Sequence, residues 1–589
     1  MKRYLLIILA GCLLTSCTRN NPEITSDELY AHISRLASDR LGGRLTGTEG
    51  DSLAAEYIRK ELLSYGLVPF VDDGFQRFRV TSSLVTGDGN MMSVDGKKMI
   101  IGSDFSPSSI SENAEIEAPV VFAGYGIRLK NDTIDWDDYS GLDVTGKWVM
   151  LLRADPDING SGTAFAEITG DRSKVMIARD MGAAGVLLVS GVEYDQSDEF
   201  EPLGRAEYPA GIPVIRIKRE VASLILSDTG YSIEELENTI NKHRSPYGKN
   251  TGSIVSAVTD LKRETAGTRN VAMVLPGEDP VFKNEYLIIG AHYDHLGSGG
   301  AGSSSRTPDT VAVHYGADDN ASGIAMMLEL AQKFANGNKT LSRSIVFIAF
   351  SAEEMGLLGA RHFIENMPVS ASSVNAMINL DMVGRLKDTR VLQVGGAGTA
   401  AGMKDILTEL NDTSRIILTI SDEGYGPSDH SVFYGADIPV LFVSTGAHLD
   451  YHTPKDTEDR INYAGMIDIA DYIYSVAGEF VNRTEKLKFT EAGPRQGPSH
   501  GGRRRGVTLG IMPDFSGIVK EGLRADFVTP GRPAAIGGMQ KGDVIKSING
   551  MPVNNIEDYM YRLNQLKQGE TITVEILRGE RKELLILQL

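Results

Sequence analysis

Four short, uninterrupted apolar runs, each leading to residues that can hold a metal or move a proton, constrain this chain more than any other feature. Tyr286 to Ile289 continues through Gly290 and Ala291 into His292-Tyr293-Asp294-His295, and Ser344 to Phe350 is followed by Ser351-Ala352-Glu353-Glu354. Ala376 to Leu380 runs into Asp381, and Val440 to Val443 precedes Tyr451-His452-Thr453-Pro454. Runs that are apolar throughout, not alternating, read as strands buried on both faces, as in a parallel or mixed sheet covered by helices. Helical spacing fills the segments between them. The expected fold is therefore α/β, a mixed, mostly parallel sheet with helices on both faces.

In open sheets of this kind the carboxyl ends of the strands line the ligand crevice, so side chains far apart in sequence converge there. A further segment, Gly316-Ala317-Asp318-Asp319-Asn320-Ala321-Ser322-Gly323, follows a Gly/Ser loop and opens a helix. Each of these residues has a structural explanation when taken singly. Asp318 could cap the helix, Glu353 and Glu354 could be solvated, and a histidine could simply pack. Their joint placement at strand ends favours a metal site, and two imidazoles among several carboxylates suit zinc better than magnesium.

Length and charge bound the rest. At about 150 residues per domain, 589 residues imply several units. The formal net charge of −19 makes phosphate backbones poor partners, so no nucleic acid is expected. Both cysteines, Cys12 and Cys17, lie in the opening segment, where Lys2 and Arg3 precede the ten-residue run Leu5 to Leu14. That is a secretory signal pattern over residues 1–16, about half the length needed to span a bilayer. Leu14-Thr15-Ser16-Cys17 resembles the lipobox of bacterial lipoproteins, in which the cysteine becomes the lipid-bearing first residue. The resemblance implies lipidation at Cys17 and membrane attachment through that anchor only, in a bacterial cell envelope, at the periplasmic or surface face of the outer membrane.

The strand-end motifs, in their order along the chain, resemble the di-zinc exopeptidases of metallopeptidase family M28, over about residues 26–110 and 255–482. The resemblance implies the zinc exopeptidase fold and two zinc ions, one held by His292 and Asp381, the other by Glu354 and His452, with Asp318 bridging them. It implies Asp294 against the far nitrogen of His292, Asp319 as a supporting residue, and Glu353 as the general base acting on the attacking water. Tyr451 matches a tyrosine that steadies the tetrahedral oxyanion in part of the family. His295, His314, His430 and His448 receive no role, and Asp429-His430 reads equally as a pocket segment or as a structural pair. The implied activity is removal of N-terminal residues from peptide substrates. Related zinc enzymes (glutaminyl cyclases, carboxypeptidases) and, further off, a non-catalytic envelope receptor or scaffold are the alternatives.

Two flanking modules complete the reading. Phe122-Ala123-Gly124-Tyr125-Gly126, Asp138-Tyr139, Gly146-Lys147 and Met181-Gly182-Ala183-Ala184-Gly185-Val186 resemble a protease-associated (PA) domain, expected over 116–250 and inserted between peptidase parts at 26–115 and 255–482. After a linker at 483–505, residues 506–589 resemble a PDZ domain, with Gly531-Arg532-Pro533 and Lys541-Gly542-Asp543 matching its core. Leu509, Gly510 and Ile511 then fit the loop that captures the C-terminal carboxylate of a peptide ligand, by addition of a strand to the sheet edge.

Overall fold

The computed structural model describes residues 23–589 except 131–133, 158–164, 166–167, 204–207, 301–302, 338–339, 493–506, 514–520 and 530. The signal segment, Cys17 and most of the expected linker lie outside the described residues.

The four apolar runs are adjacent strands of a nine-stranded mixed sheet, in the order Ser344–Phe350, Tyr286–His292, Val374–Leu380, Val440–Ser444, all mutually parallel. Antiparallel strands flank them, Leu261–Leu275 on one side and Val391–Gly395 on the other. Successive side chains of a strand face opposite ways, and here each direction meets a helix layer. Leu287, Ile289 and Ala291 point into a core shared with the helices Ser26–Leu36, Glu49–Ser64, Gly323–Asn336 and Tyr463–Asn482. Ile288 points the other way, toward Phe363 and Phe433 of the helices Leu358–Glu365 and His430–Gly435. Both faces of these strands are dry, which is why their sequence does not alternate.

A long antiparallel ribbon, Phe75–Thr86 with Leu261–Leu275, leads out of this sheet and back. Between its arms sits an eight-stranded sheet in the order Lys97–Lys98, Met91–Val94, Gly248–Val258, Glu115–Ala123, Trp148–Leu152, Gly185–Val189, Val214–Ile217, Phe105–Pro107. The expected boundary at 115/116 falls inside a strand of that sheet, and the insert takes in residues from Met91 to Val258 rather than 116 to 250. The additional strands lie at or near the sheet edges and expose part of their surface, so they lack the continuous apolar runs that mark its centre. Trp148–Leu152 and Gly185–Val189, in the middle, are buried throughout.

The C-terminal unit is a six-stranded antiparallel sheet with the helices Pro533–Ile536 and Ile556–Gln565 around its own core. It sits on the inserted domain. Arg562 Nη2 donates to Asp180 Oδ1 at 2.9 Å, Arg179 Nη1 to Asp558 Oδ1 at 3.1 Å, and Asn555 Nδ2 to the Pro209 carbonyl at 3.2 Å. Tyr208 packs against the C-terminal core, and Tyr561 packs back against the inserted domain.

Candidate active site

The carboxyl ends of the parallel strands converge as the sequence implied. His292 Nε2 lies 3.3 Å from Asp319 Oδ1 and 3.5 Å from Asp381 Oδ1. His452 Nε2 lies 3.2 Å from both Asp319 Oδ2 and Glu354 Oε1. The two oxygens of one carboxylate thus face two different imidazoles. The far nitrogens are fixed by carbonyls: His452 Nδ1 donates to Ser304 O at 2.9 Å, and His292 Nδ1 to Asp294 O at 3.2 Å. A ring whose Nδ1 is held this way presents Nε2 to a metal.

The shared carboxylate belongs to Asp319, not to Asp318. The amides of both residues donate to Asp456 Oδ2 at 3.0 Å, which anchors the turn Ala317–Ser322. Beyond that anchor the two side chains diverge. Asp318 Oδ1 accepts from Gly384 N at 2.6 Å and from Ser322 Oγ at 3.0 Å, and its Oδ2 lies 3.2 Å from His448 Nε2. Asp318 is therefore a support of the turn, and Asp319, whose peptide bond to Asn320 is cis, is the carboxylate common to the His292 and His452 sides.

Asp294 is wholly buried and supports more than its histidine. Its carboxylate accepts Glu353 N at 3.0 Å, Glu354 N at 3.4 Å and Thr46 Oγ1 at 2.9 Å, and lies 3.7 Å from His292 Nδ1, which is closer to the Asp294 carbonyl. Asp294 thereby holds the backbone of both glutamates in register. Tyr451 stacks on the His452 ring, with centroids 3.8 Å apart. Glu353, Glu354 and Tyr451 line one cavity of about 500 Å³, within the usual range for small-ligand sites.

Three residues without an assigned role in the sequence reading belong here. His295 Nδ1 is 3.0 Å from Glu354 Oε1 and 3.7 Å from Asp319 Oδ2, which brings a second histidine to the Glu354–His452 side. Its position three residues after His292, just past a strand end, was the signal. Asp456 was signalled only by its closeness to His452 in sequence. Arg44, fully buried, donates to the carbonyls of Leu36, Tyr293, Tyr315 and Gly316, and so ties the early glycine loop beneath the centre. Burial lowers its pKa to about 10. Gly43 makes that approach possible: its φ is +73°, and a Cβ there would meet Gly297 O at 2.5 Å. His430 is a packing residue, stacked on Phe442 and pushed down to about 3 by burial. Its neighbour Asp429 is buried with neither carboxylate oxygen hydrogen-bonded, and burial pushes its pKa up to about 8.

The electrostatics separate the adjacent glutamates. Burial and the charge of Glu354 hold Glu353 well above the usual carboxylate range, although His292 opposes them. Glu354 is drawn down to about 2, because hydrogen bonds with His295 and His452 outweigh its burial and the Asp319 charge. Burial works against a charged His452, but Asp319 and Glu354 win and raise it to about 10. Two donor sets follow, His295/Asp319/Glu354/His452 and His292/Asp319/Asp381, each with ligand atoms within 4.8 Å of one another. Imidazole nitrogens and carboxylate oxygens in sets of three and four are a fitting donor set for zinc.

Comparison with known proteins agrees with this geometry. A model of peptidase family M28 matches residues 270–477, one of the PA domain matches 116–225, and one of the PDZ domain matches 512–589. The chain is 25% identical over 474 residues to aminopeptidase YwaD of Bacillus subtilis, covering 78% of this chain and 86% of that protein. It is 25% identical over 263 residues to a probable leucine aminopeptidase of Arthroderma otae, covering 43% and 67% of the two chains. Among solved structures, a zinc aminopeptidase from Bacillus subtilis aligns with 79% of this chain and 97% of its own at 21% identity, with a TM-score of 0.48. The three family-model matches, read with the strand order, divide the chain into a segment matching peptidase family M28, a PA-domain match inserted ahead of it between the arms of the ribbon, and a C-terminal PDZ-domain match.

Proposed function

We propose that this protein is a zinc-dependent aminopeptidase that removes N-terminal residues from peptides, using two zinc ions. The observation that carries the reading is the Asp319 carboxylate, with one oxygen toward His292 and the other toward His452, beside the half-buried Glu353, which lines a peptide-sized cavity. His292 and Asp381 would hold one ion, Glu354 and His452 the other, with His295 at hand, and Asp319 would be shared. Zinc bound there supplies Lewis acidity, polarising a carbonyl and lowering the pKa of a water. Glu353 takes a proton from the attacking water and returns it to the leaving amine. Its raised proton affinity suits that exchange, and the grip of Asp294 on its amide fixes where the carboxylate sits. Tyr451 stays protonated, since burial raises its pKa, and its hydroxyl can donate to the oxyanion that develops on the carbonyl.

Glu353→Gln removes the proton acceptor and no ligand. It should retain zinc while turnover of an aminoacyl substrate falls by on the order of a hundred- to ten-thousand-fold. Glu354→Gln should instead lose zinc and recover in part with excess metal. Rescue of the first variant by zinc, but not of the second, would exchange their roles; full activity in both would end the hydrolase reading.

The same proposal places the protein in a bacterial cell envelope, anchored by lipid at Cys17. Support comes from the basic pair, apolar run and lipobox, together with the finding that no helix among the described residues is long and apolar enough to cross a membrane. Cys17→Ser should shift the protein to the soluble fraction or stall its processing, and membrane retention of a correctly cleaved variant would refute the anchor. For the PDZ unit, a C-terminal peptide ligand adding to the strand Ile511–Pro513 is the matching proposal. That strand lies at a sheet edge, reached through Leu509 and Gly510, the latter at φ +79°.

A further inference from the structure

The cavity at the centre has an outer wall from another domain. Its inner end carries Glu353, Glu354 and Tyr451, and its outer side carries Arg361 and Glu365 of the peptidase helix Leu358–Glu365 together with Arg524 and Lys541 of the PDZ unit. The outer side chains sum to a formal charge of +2, opposite a carboxylate-rich centre. The placement is held from behind by the buried pairs of Arg562 with Asp180 and Arg179 with Asp558, so the PDZ cations are part of the cleft's structure.

From this juxtaposition we infer that the PDZ unit makes the cleft a docking site for the C-terminal carboxylate of short free peptides, with Arg524 and Lys541 as the recognising groups. The inference rests on the aminopeptidase reading for the position of the peptide's other end. A sphere with this cavity's volume of about 500 Å³ is about 10 Å across, so the space takes a peptide of about three extended residues. A peptide of that size with its N-terminal residue at the metal centre ends at the outer wall. There its terminal carboxylate meets cations able to form charge-assisted hydrogen bonds, which arginine does in a fixed fork. A longer peptide would have to carry its chain past that wall.

The test uses the full chain with zinc bound and compares one tripeptide, Leu-Gly-Gly, as the free acid and as the C-terminal amide. kcat/KM for the acid should exceed that for the amide by about tenfold or more, the worth of a hydrogen bond to a charged group. In Arg524→Gln and in Lys541→Gln that ratio should shrink, chiefly through KM of the acid. Lys541 is exposed, so its substitution carries no folding risk. Binding of the same pair to the Glu353→Gln variant, read by calorimetry, separates docking from chemistry. Acid-selective binding without turnover in the parent protein would refute the aminopeptidase reading and leave the docking site standing. Turnover with equal rates and equal binding for acid and amide would overturn the docking site, as would an acid preference untouched by both substitutions. So would a preference that follows an acidic side chain placed within a peptide amide.

Discussion

Asp318 and Asp319 differ by one position and by everything around their carboxylates. Asp318 accepts from Gly384 N and Ser322 Oγ, while Asp319 stands between two imidazoles. Asp319→Asn should therefore weaken zinc at both sites by more than a hundredfold. Asp318→Asn should stay within the ten- to hundredfold loss typical of outer supports. Metal content after dialysis decides between them, and the reverse order would return the bridging role to Asp318. A second residue-scale expectation concerns pH. Asp51 is fully buried, accepts from Gly47 N, Thr268 Oγ1 and Ser351 Oγ, and is nonetheless raised to about 6 because burial outweighs those bonds. A carboxyl with a folded pKa above its unfolded value near 3.8 favours the fold below that lower value and loses this contribution as pH rises through about 6. Relative to Asp51→Asn, which does not titrate, the parent protein should lose about 2 kcal/mol of stability between pH 4 and 7. Denaturant melts at the two pH values measure it, and an unchanged difference would mean that Asp51 does not bind its proton more tightly in the fold.

At the scale of elements, how much was legible depended on burial. The parallel strands of the peptidase domain announce themselves because both faces are covered, and their C-terminal ends pointed to His292, Glu353, Glu354, Asp381 and His452. The strands Met91–Val94, Lys97–Lys98 and Phe105–Pro107 could not be read so, because strands at or near an edge carry mixed side chains; the first two form a short hairpin, and the partners that tie Met91–Val94 and Phe105–Pro107 into the sheet lie far along the chain. The choice between Asp318 and Asp319 was equally hidden. Spacing places a turn at a strand end, but only the Asp456 anchor and the path of that turn decide which carboxylate faces inward. The seat of the C-terminal helix was also silent in sequence, since Arg562 and Asp180 lie hundreds of residues apart. Arg562 is almost fully buried in that pair, so Arg562→Ala should remove the two-pronged contact to Asp180, which keeps only the longer 3.5 Å pair with Arg179, at a cost of about 1–2 kcal/mol. Faster proteolysis of the PDZ unit would report that loss. The exchange Asp180→Arg with Arg562→Asp should recover part of it, and proteolysis as slow in Arg562→Ala as in the parent would show that the pair does not hold the domain.

For the whole molecule, three sets of cores define how it should come apart. The peptidase sheet is packed on both faces, the PA sheet has its own two layers, and the PDZ sheet closes around a third. Among the described residues, the clusters able to hold a metal lie only in the peptidase domain. An ion that binds the folded domain and not the unfolded chain adds about 2.7 kcal/mol of stability at a hundredfold excess over its Kd. A domain of this size shifts by roughly 2–4 °C per kcal/mol, so each ion should raise the peptidase transition by roughly 5–10 °C. Calorimetry with and without chelator should therefore show one transition moving down while the one belonging to the PA–PDZ pair stays in place, because that pair is joined to the peptidase chiefly through the ribbon of Phe75–Thr86 and Leu261–Leu275. Movement of every transition together would mean that the ribbon and the cleft wall couple all three cores into one cooperative unit. No movement at all, in protein shown to have lost its zinc, would mean that Asp319 and its neighbours draw no folding stability from the metal, against the tight clustering of their charges.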